Sequence, residues 1–540
     1  MTGAARLIAA YTAVTLVMTW PIFNIAALAS ASYAGDARLM IWALAWDNHA
    51  VLAGLPLFDS NMFYPAPASL AFTEHSFGIS LFTLPIYAAT RNPVLAYNAI
   101  WFLSYVLCGL AAHAWLRRYT GRDLAAFTGS LIFTFSFYKM LHGHGHLQQV
   151  WTWPLPLSLL LLERWADRPA WGRAFAWGAV TLLQALSSWY LAVMVVMANG
   201  VLIVWRLAAA GRAGLLPKLA QLAVVSLLAG AAIWPFAAHY RTLAPASARE
   251  AQSLSADAAA YLMPAENTWP GRAWLAVAGR GPRWMWGEKT MPVGWIALAL
   301  ASWGAALAAR RRAWSALVPY GILTVVALLL SFGPPASPSG WSLYSLAAHL
   351  PGVGGFRTPA RFALLVLLGA SLLAAIGAED LLRRRPAIRL AGFVVIPLML
   401  SEWFVVGFAA NRPVPFDVPA IYRLPQLRAT RALVSLPDYR SDPRWFFEPD
   451  YLLFSTAHWR PIVNGYGRWE PPGHPHNISY MKAFPGPNNA KKMRALGVEY
   501  LVLHAARYDD GAVEILKEAQ ASPEYDLVAR MGDDYLYRVK

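Results

Sequence analysis

Charge is what this sequence has least of. Only 14% of its 540 residues are Asp, Glu, Lys or Arg, against roughly a quarter in an ordinary soluble domain, and that shortage excludes an ordinary soluble enzyme. Cysteine is almost missing as well. Cys108 stands alone inside an apolar run, so there is neither a disulfide framework nor a thiolate metal site. Acidic residues are outnumbered 29 to 45, for a formal net charge of +16. The basic residues nevertheless form short clusters between apolar runs, with no contiguous basic face and no nucleic-acid-binding motif, so nucleic acid is not the partner they imply. What the chain does have is 57% hydrophobic residues and 25 Trp, with a mean hydropathy of +0.39. This is the composition of a polytopic membrane protein.

Apolar length predicts eleven transmembrane helices, at about 7 to 31, 94 to 116, 124 to 141, 147 to 163, 174 to 189, 190 to 206, 219 to 238, 292 to 309, 314 to 332, 362 to 382 and 390 to 410. The apolar segment 76 to 90 is short and contains Pro85, and reads as an interfacial or re-entrant helix. The positive-inside rule supports that choice. With eleven spans and a cytoplasmic N-terminus, Arg117-Arg118 and Arg122, Arg164 and Arg168, Arg206, Arg212 and Lys218, Arg310-Arg311-Arg312 and Arg383-Arg384-Arg385 all fall inside. Counting 76 to 90 as a span would send every one of them outside. Arg6, the first apolar run and Ala31-Ser32-Tyr33-Ala34 resemble a cleavable signal peptide. The run is long for a signal sequence, and we read it as an uncleaved anchor.

This topology collects the polar residues on the non-cytoplasmic face. The outer loop 32–93 carries Asp36, Arg38, Asp47, His49, Asp59, Glu74 and His75. His142, His144 and His146 lie between the third and fourth helices. The loop 239–291 carries Asp257, Glu266 and Glu288, and the loop 333–361 ends in Arg357-Thr358-Pro359-Ala360-Arg361. The cytoplasmic loops are short, so any chemistry belongs outside.

An acidic residue just after the first helix, a long first outer loop and a multipass body followed by an outer C-terminal region resemble the GT-C superfamily of membrane glycosyltransferases. Gly35-Asp36, Phe58-Asp59-Ser60-Asn61-Met62-Phe63-Tyr64-Pro65, Arg357-Thr358-Pro359-Ala360-Arg361-Phe362 and Asn464-Gly465-Tyr466-Gly467 look like a bacterial branch that depends on polyprenyl-phosphate sugars. The resemblance covers the whole chain in layout and short motifs in residues. It implies a GT-C-like fold in the bacterial inner membrane. The implied activity is transfer of a hexosyl or pentosyl group, with inversion, from a polyprenyl-phosphate donor to a periplasmic glycan, lipid or protein acceptor. Many GT-C enzymes carry an acidic pair here, whereas Asp36 is followed by Ala37, which weakens the expectation of a metal.

In such a reaction an acceptor hydroxyl attacks the anomeric carbon and the lipid phosphate leaves as a stable anion. One carboxylate base therefore suffices, unlike glycoside hydrolysis, where a second carboxyl must protonate the leaving oxygen. Asp36 is the candidate base; its structural alternatives are pairing with Arg38 or capping the helix that follows. The leaving phosphate needs cations, and a guanidinium fork matches phosphate oxygens. Arg357 and Arg361, at a helix start that Pro359 could open, and Arg38 are the candidates; for the first two, interfacial snorkelling is the plain alternative. Glu74, His75, His142, His144, His146, Asp257 and Glu288 are candidate donor or acceptor contacts. The alternating histidines do not have the spacing of an established zinc motif. They could hold a divalent metal, bind donor or acceptor, or form an ordinary interfacial cluster. Trp269, Trp274, Trp284 and Trp286 read as headgroup-level anchors.

Beyond about residue 410 the charges rise and the apolar runs shorten. Strands are predicted at 498–503 and in a hairpin over 525–539, with a helix at 514–521. The expected organisation is a transmembrane domain over 1–410 and a periplasmic α/β domain over 411–540. Two other functions fit the composition. A transporter or lipid-handling protein would carry inverted repeats and ionisable pairs at mid-membrane, and neither is apparent. An oligosaccharide ligase or polymerase would differ only in its donor.

Overall fold

The computed structural model describes residues 3–20, 28–29, 34–143, 145–209, 212–243, 245–279, 287–311, 314–335, 340–350, 352–384, 388–405, 414–415, 417–438, 447–508 and 511–540. The expectations for His144, Trp284, Trp286, Arg312, Arg385 and the signal-like 31–33 concern residues outside these. Helices of ten or more residues are α1 (Gly3–Met18), α2 (Ala34–Ala53), α3 (Phe77–Thr90), α4 (Pro93–Leu116), α5 (Asp123–Phe135), α6 (Pro154–Asp167), α7 (Trp171–Ser187), α8 (Trp189–Ala208), α9 (Arg212–Ala237), α10 (Trp269–Ala278), α11 (Trp295–Arg311), α12 (Trp314–Ser331), α13 (Ala363–Arg384), α14 (Ile388–Ser401), α15 (Pro487–Leu496) and α16 (Ala512–Ala521). The chain divides into two compact units. One comprises Met1–Phe23 and Ile100–Arg412, the other Asn24–Ala99 and Pro413–Lys540.

The first unit is helical, and the protein is a multi-pass membrane protein. Among the described residues, Pro93–Leu116, Trp189–Ala208, Leu215–Tyr240 and Pro359–Arg384 are long and apolar enough to cross a bilayer; Gly3–Met18, Phe77–Thr90, Asp123–Phe135, Trp295–Arg310, Leu317–Ser331 and Gly392–Ser401 are shorter apolar helices. Two runs expected as continuous helices are broken. The first stops at Phe135 and resumes as the short helix Phe137–His142, after Ser136 turns extended at ψ 153°. The second is interrupted between Val150 and Pro154. Pro154 has no N–H to offer the carbonyl one turn back, and Val150 O instead accepts the buried Lys139 ammonium at 2.7 Å.

The centre of this unit is α13, which is almost wholly buried. Glycine brings backbones together around it. A Cβ on Gly304 of α11 would lie 1.9 Å from Leu373 O, and one on Gly377 would lie 2.2 Å from Leu300 O. Such small-residue contacts are how helices pack where lipid supplies no hydrophobic drive.

The second unit contains a four-stranded sheet of β3 (Leu433–Leu436), β4 (Tyr500–His504), β6 (Asp534–Val539) and β5 (Tyr525–Met531), in that order. A separate two-residue pair joins β1 (Leu28–Ala29) to β2 (Val414–Pro415). β3 and β4 run parallel with Leu433 opposite Tyr500, and the other pairings are antiparallel. Gly532, at φ 65°, turns the β5–β6 hairpin. Val434, Leu436, Leu501, Leu503, Met493 of α15 and Ala519 of α16 share its core. β4, the hairpin and α16 lie where periodicity predicts them. β3 was not foreseen, because all four of its residues are buried and no alternation marks them.

Candidate active site

In the second unit, Asp36 occupies the first turn of α2. Its carboxylate is half-buried and accepts a hydrogen bond from the Tyr466 hydroxyl at 3.2 Å. Tyr466 is held by the loop that contains it. Asn464 brackets Ser435, accepting from its N at 2.7 Å and donating to its O at 3.0 Å, while Glu448 accepts from Gly465 N at 3.2 Å. Glycine is needed on both sides of the tyrosine. A Cβ on Gly465 would meet the Phe63 ring at 2.3 Å, and one on Gly467 would meet Phe72 O at 2.4 Å. The backbones also pair directly, Phe63 N to Asn464 O and Tyr64 N to Ile462 O, both at 2.9 Å. Two of the sequence motifs, 58–65 and 464–467, therefore build one structure.

Two residues beyond Asp36, Arg38 donates to Asp450. The second oxygen of Asp450 accepts from Arg507 Nη2 at 2.9 Å. Arg507 in turn lies over the rings of Phe447, Tyr451 and Phe454, at 4.4, 5.0 and 5.5 Å. His75 is buried, with Nε2 2.8 Å from Asp47 Oδ1, and Asp47 Oδ2 accepts from Ser80 Oγ at 2.6 Å. This pair ties α2 to the start of α3. Glu74 is half-buried beside it.

In the first unit, Pro359 opens the 3-10 turn Pro359–Phe362 that leads into α13, and Arg361 lies in that turn with 4% of its side chain exposed. Its Nε and Nη2 donate to the two oxygens of Glu288 at 3.2 and 2.8 Å, the bidentate geometry that a guanidinium favours. The guanidinium also covers the Tyr190 ring at 4.5 Å. His142 Nε2 lies 3.6 Å from Glu288 Oε2, and the His142 and His146 rings are 5.4 Å apart. Burial alone would raise the pKa of Glu288; the charges of Arg361 and His142 reverse that and hold it below the ordinary carboxylate range.

The remaining candidates are engaged differently. Arg357 faces Glu250 at 3.6 Å, with both side chains well exposed, a weak surface pairing. Asp257 caps the turn Ala258–Tyr261 by accepting from Ala260 N at 3.0 Å. Tyr466, Asp450 and Arg507 were not assigned roles from sequence. Tyr466 lay inside a recognised motif, whereas nothing local marks the other two. Among the described residues no group of three or more potential metal ligands gathers, and Glu288 gives both oxygens to Arg361.

The architecture matches solved structures. An oligosaccharyltransferase from Archaeoglobus fulgidus, crystallised with zinc and sulfate, superposes with a TM-score of 0.53 at 12% identity, over 96% of this chain and 71% of that one. The arabinofuranosyltransferase AftD from Mycobacteria gives 0.55 at 14% identity, over 99% of this chain and 40% of that one. The chain thus spans less than half the length of AftD. These likenesses establish the GT-C fold. No curated protein sequence matches the chain. A family model described as Domain of unknown function (DUF6311) matches residues 7–399, and the chain belongs to that family.

Proposed function

We propose that this protein is a membrane glycosyltransferase that moves one sugar from a polyprenyl-phosphate donor to a glycan, lipid or protein acceptor at the outer face of the bacterial inner membrane. The observation that carries the reading is Asp36: a half-buried carboxylate, hydrogen-bonded by Tyr466, in a chain with the GT-C fold. In the proposed step the acceptor oxygen attacks the anomeric carbon and its proton passes to the Asp36 carboxylate. The bond from that carbon to the phosphate oxygen breaks, its electron pair stays on the phosphate, and the anomeric configuration inverts. The phosphate is stable as an anion, so one base is enough. Arg38 is the candidate cation for it in the same unit as Asp36; in the first unit, Arg357 and Arg361 are the candidate phosphate ligands that the sequence offers. Arg361 is the best prepared of these. Glu288 and the Tyr190 ring fix its plane, and its Nη1 edge is not engaged by Glu288.

The reading includes eleven spans, a cytoplasmic N-terminus and a periplasmic region beyond residue 411. Its test is Asp36→Asn, which keeps size and hydrogen bonding and removes basicity. The variant should enter the membrane in normal amount and lose about 100-fold or more of transfer from undecaprenyl-phosphate hexoses and pentoses, labelled in the sugar, to envelope acceptors. Wild-type turnover by Asp36→Asn would remove the central assignment.

A further inference from the structure

We infer that Asp450 is a positioning residue for the Asp36 base, with Arg38 as the link between them and Arg507 as the anchor. The inference rests on the role of Asp36 proposed above. Its basis is a chain of contacts within the second unit. Asp36 lies in the first turn of α2 and Arg38 two residues further along the same helix, so whatever fixes the Arg38 guanidinium restrains the backbone that carries Asp36. Asp450 fixes it. This carboxylate is 94% buried as a side chain, and its two oxygens are divided between Arg38 and Arg507.

Arg507 follows β4 in the turn Ala505–Arg507, so it is attached to the sheet. Its guanidinium is confined by the faces of Phe447, Tyr451 and Phe454, which hold a cation by their quadrupoles and leave it little freedom. The order of restraint runs from the sheet through Arg507 and Asp450 to Arg38, and so to the turn of Asp36. Tyr466 supplies the second restraint directly. A base held at two points keeps the geometry that proton transfer demands, and displacement by about 1 Å can cost about 100-fold in rate.

The charges give the arrangement a signature that packing alone would not have. The ionisable groups brought to this end of α2 include Asp450, with Glu448 and Tyr451 on the helix Glu448–Phe454 that packs on α2, Tyr466 in the following loop, and Arg507 behind Asp450. Asp450 cancels one of the two guanidinium charges that converge on it. Removing its charge makes the surroundings of Asp36 more positive, and a more positive surrounding keeps a carboxylate ionised to lower pH.

The test compares wild type, Asp36→Asn, Asp450→Asn and Arg507→Lys as full-length protein in detergent, with the same labelled undecaprenyl-phosphate sugars. Asp450→Asn should lower kcat by about 10- to 100-fold, with KM changed by less than about twofold. The acid limb of its kcat/KM profile should move about half a pH unit or more toward lower pH. Arg507→Lys, which keeps the charge and loses the planar fork, should lower kcat in the same way with a smaller shift of the limb. A folded Asp450→Asn with wild-type kcat and acid limb would overturn the inference and leave the base assignment standing. Turnover by Asp36→Asn would instead bring down the base assignment. If Asp450→Asn does not fold, Arg507→Lys decides, and wild-type behaviour there overturns the inference.

Discussion

Arg361 and Glu288 show how far single residues can be read from sequence. Both stood out, one as a cation beside a helix-opening proline and the other as an acid in an outer loop. Their pairing across 73 positions leaves no local trace. Asp257 is the opposite case, since its cap is a purely local matter. The Arg361–Glu288 pair also makes a prediction. With Glu288→Gln, Arg361 stays charged and buried without its counter-ion, and a buried pair broken in this way is costly. Because a quarter of the Glu288 side chain is exposed, we expect a loss of about 1–3 kcal/mol, below the figure for a fully buried pair. The pH dependence has a definite sign. The pKa of Glu288 is depressed in the folded protein, so the unfolded chain binds the extra proton first as pH falls. The contribution is complete above the ordinary glutamate pKa of about 4.3 and declines as pH drops below it. The Tm difference between wild type and Glu288→Gln, measured in detergent, should therefore be largest near neutrality and shrink between pH 5 and pH 3. A difference that is constant or grows on acidification would show that the carboxylate is not held by Arg361.

At the scale of elements, apolar runs located the helices well, because length and hydropathy are local quantities. The break before Pro154 was legible as a proline kink, though not the buried lysine that takes up the freed carbonyl; the break at Ser136 carries no such residue and was not legible. The close packing of α13 was equally hidden. A glycine in an apolar run looks the same whether it faces lipid or a neighbouring backbone. The structure separates the two cases, and Gly377→Ala and Gly200→Ala test the separation. Alanine is the better helix former by up to about 1 kcal/mol. At Gly200 nothing lies within 4 Å of the added Cβ, so the substitution should be neutral or slightly stabilising. At Gly377 the added carbon meets a backbone carbonyl at 2.2 Å, which cannot turn aside as a side chain would. Overpacking of that kind costs about 1–3 kcal/mol and outweighs propensity. Thermal unfolding followed by size-exclusion of detergent-solubilised protein should show a lower Tm for Gly377→Ala alone, and equal Tm values would mean that α11 and α13 are not in backbone contact.

For the whole molecule, composition could mark the change of character near residue 410, but it could not show that 24–99 belongs to the same compact unit as 413–540. That association rests on backbone pairs such as Phe63 N to Asn464 O, between segments 400 residues apart, and sequence periodicity carries no such information. Orientation in the membrane was argued from the opposite kind of signal, the Lys/Arg count summed over many loops. The orientation of everything after residue 90 turns on whether 76 to 90 crosses. The structure gives this segment a helix, Phe77–Thr90, of 14 residues with Pro85 inside it; α5 and α14, read as spans, are no longer than this, so helix length alone does not decide whether it crosses. With that helix interfacial, the exposed Asp417 lies outside and the exposed Arg310 lies inside; if it crossed, both would exchange sides. Cys108 is the chain's single cysteine and is buried, so a Cys108→Ala background gives a clean start for labelling. In spheroplasts, a membrane-impermeant maleimide should modify Asp417→Cys at once and Arg310→Cys only after permeabilisation. The reverse pattern would make 76 to 90 a span and move the roles proposed for His142, His146, Asp257, Glu288, Arg357 and Arg361 to the cytoplasmic face, leaving Asp36, Arg38, Glu74 and His75 outside. Asp36 precedes this segment and would stay outside while Tyr466 moved inside, so the reverse pattern would also be incompatible with the hydrogen bond between them on which the proposed base rests.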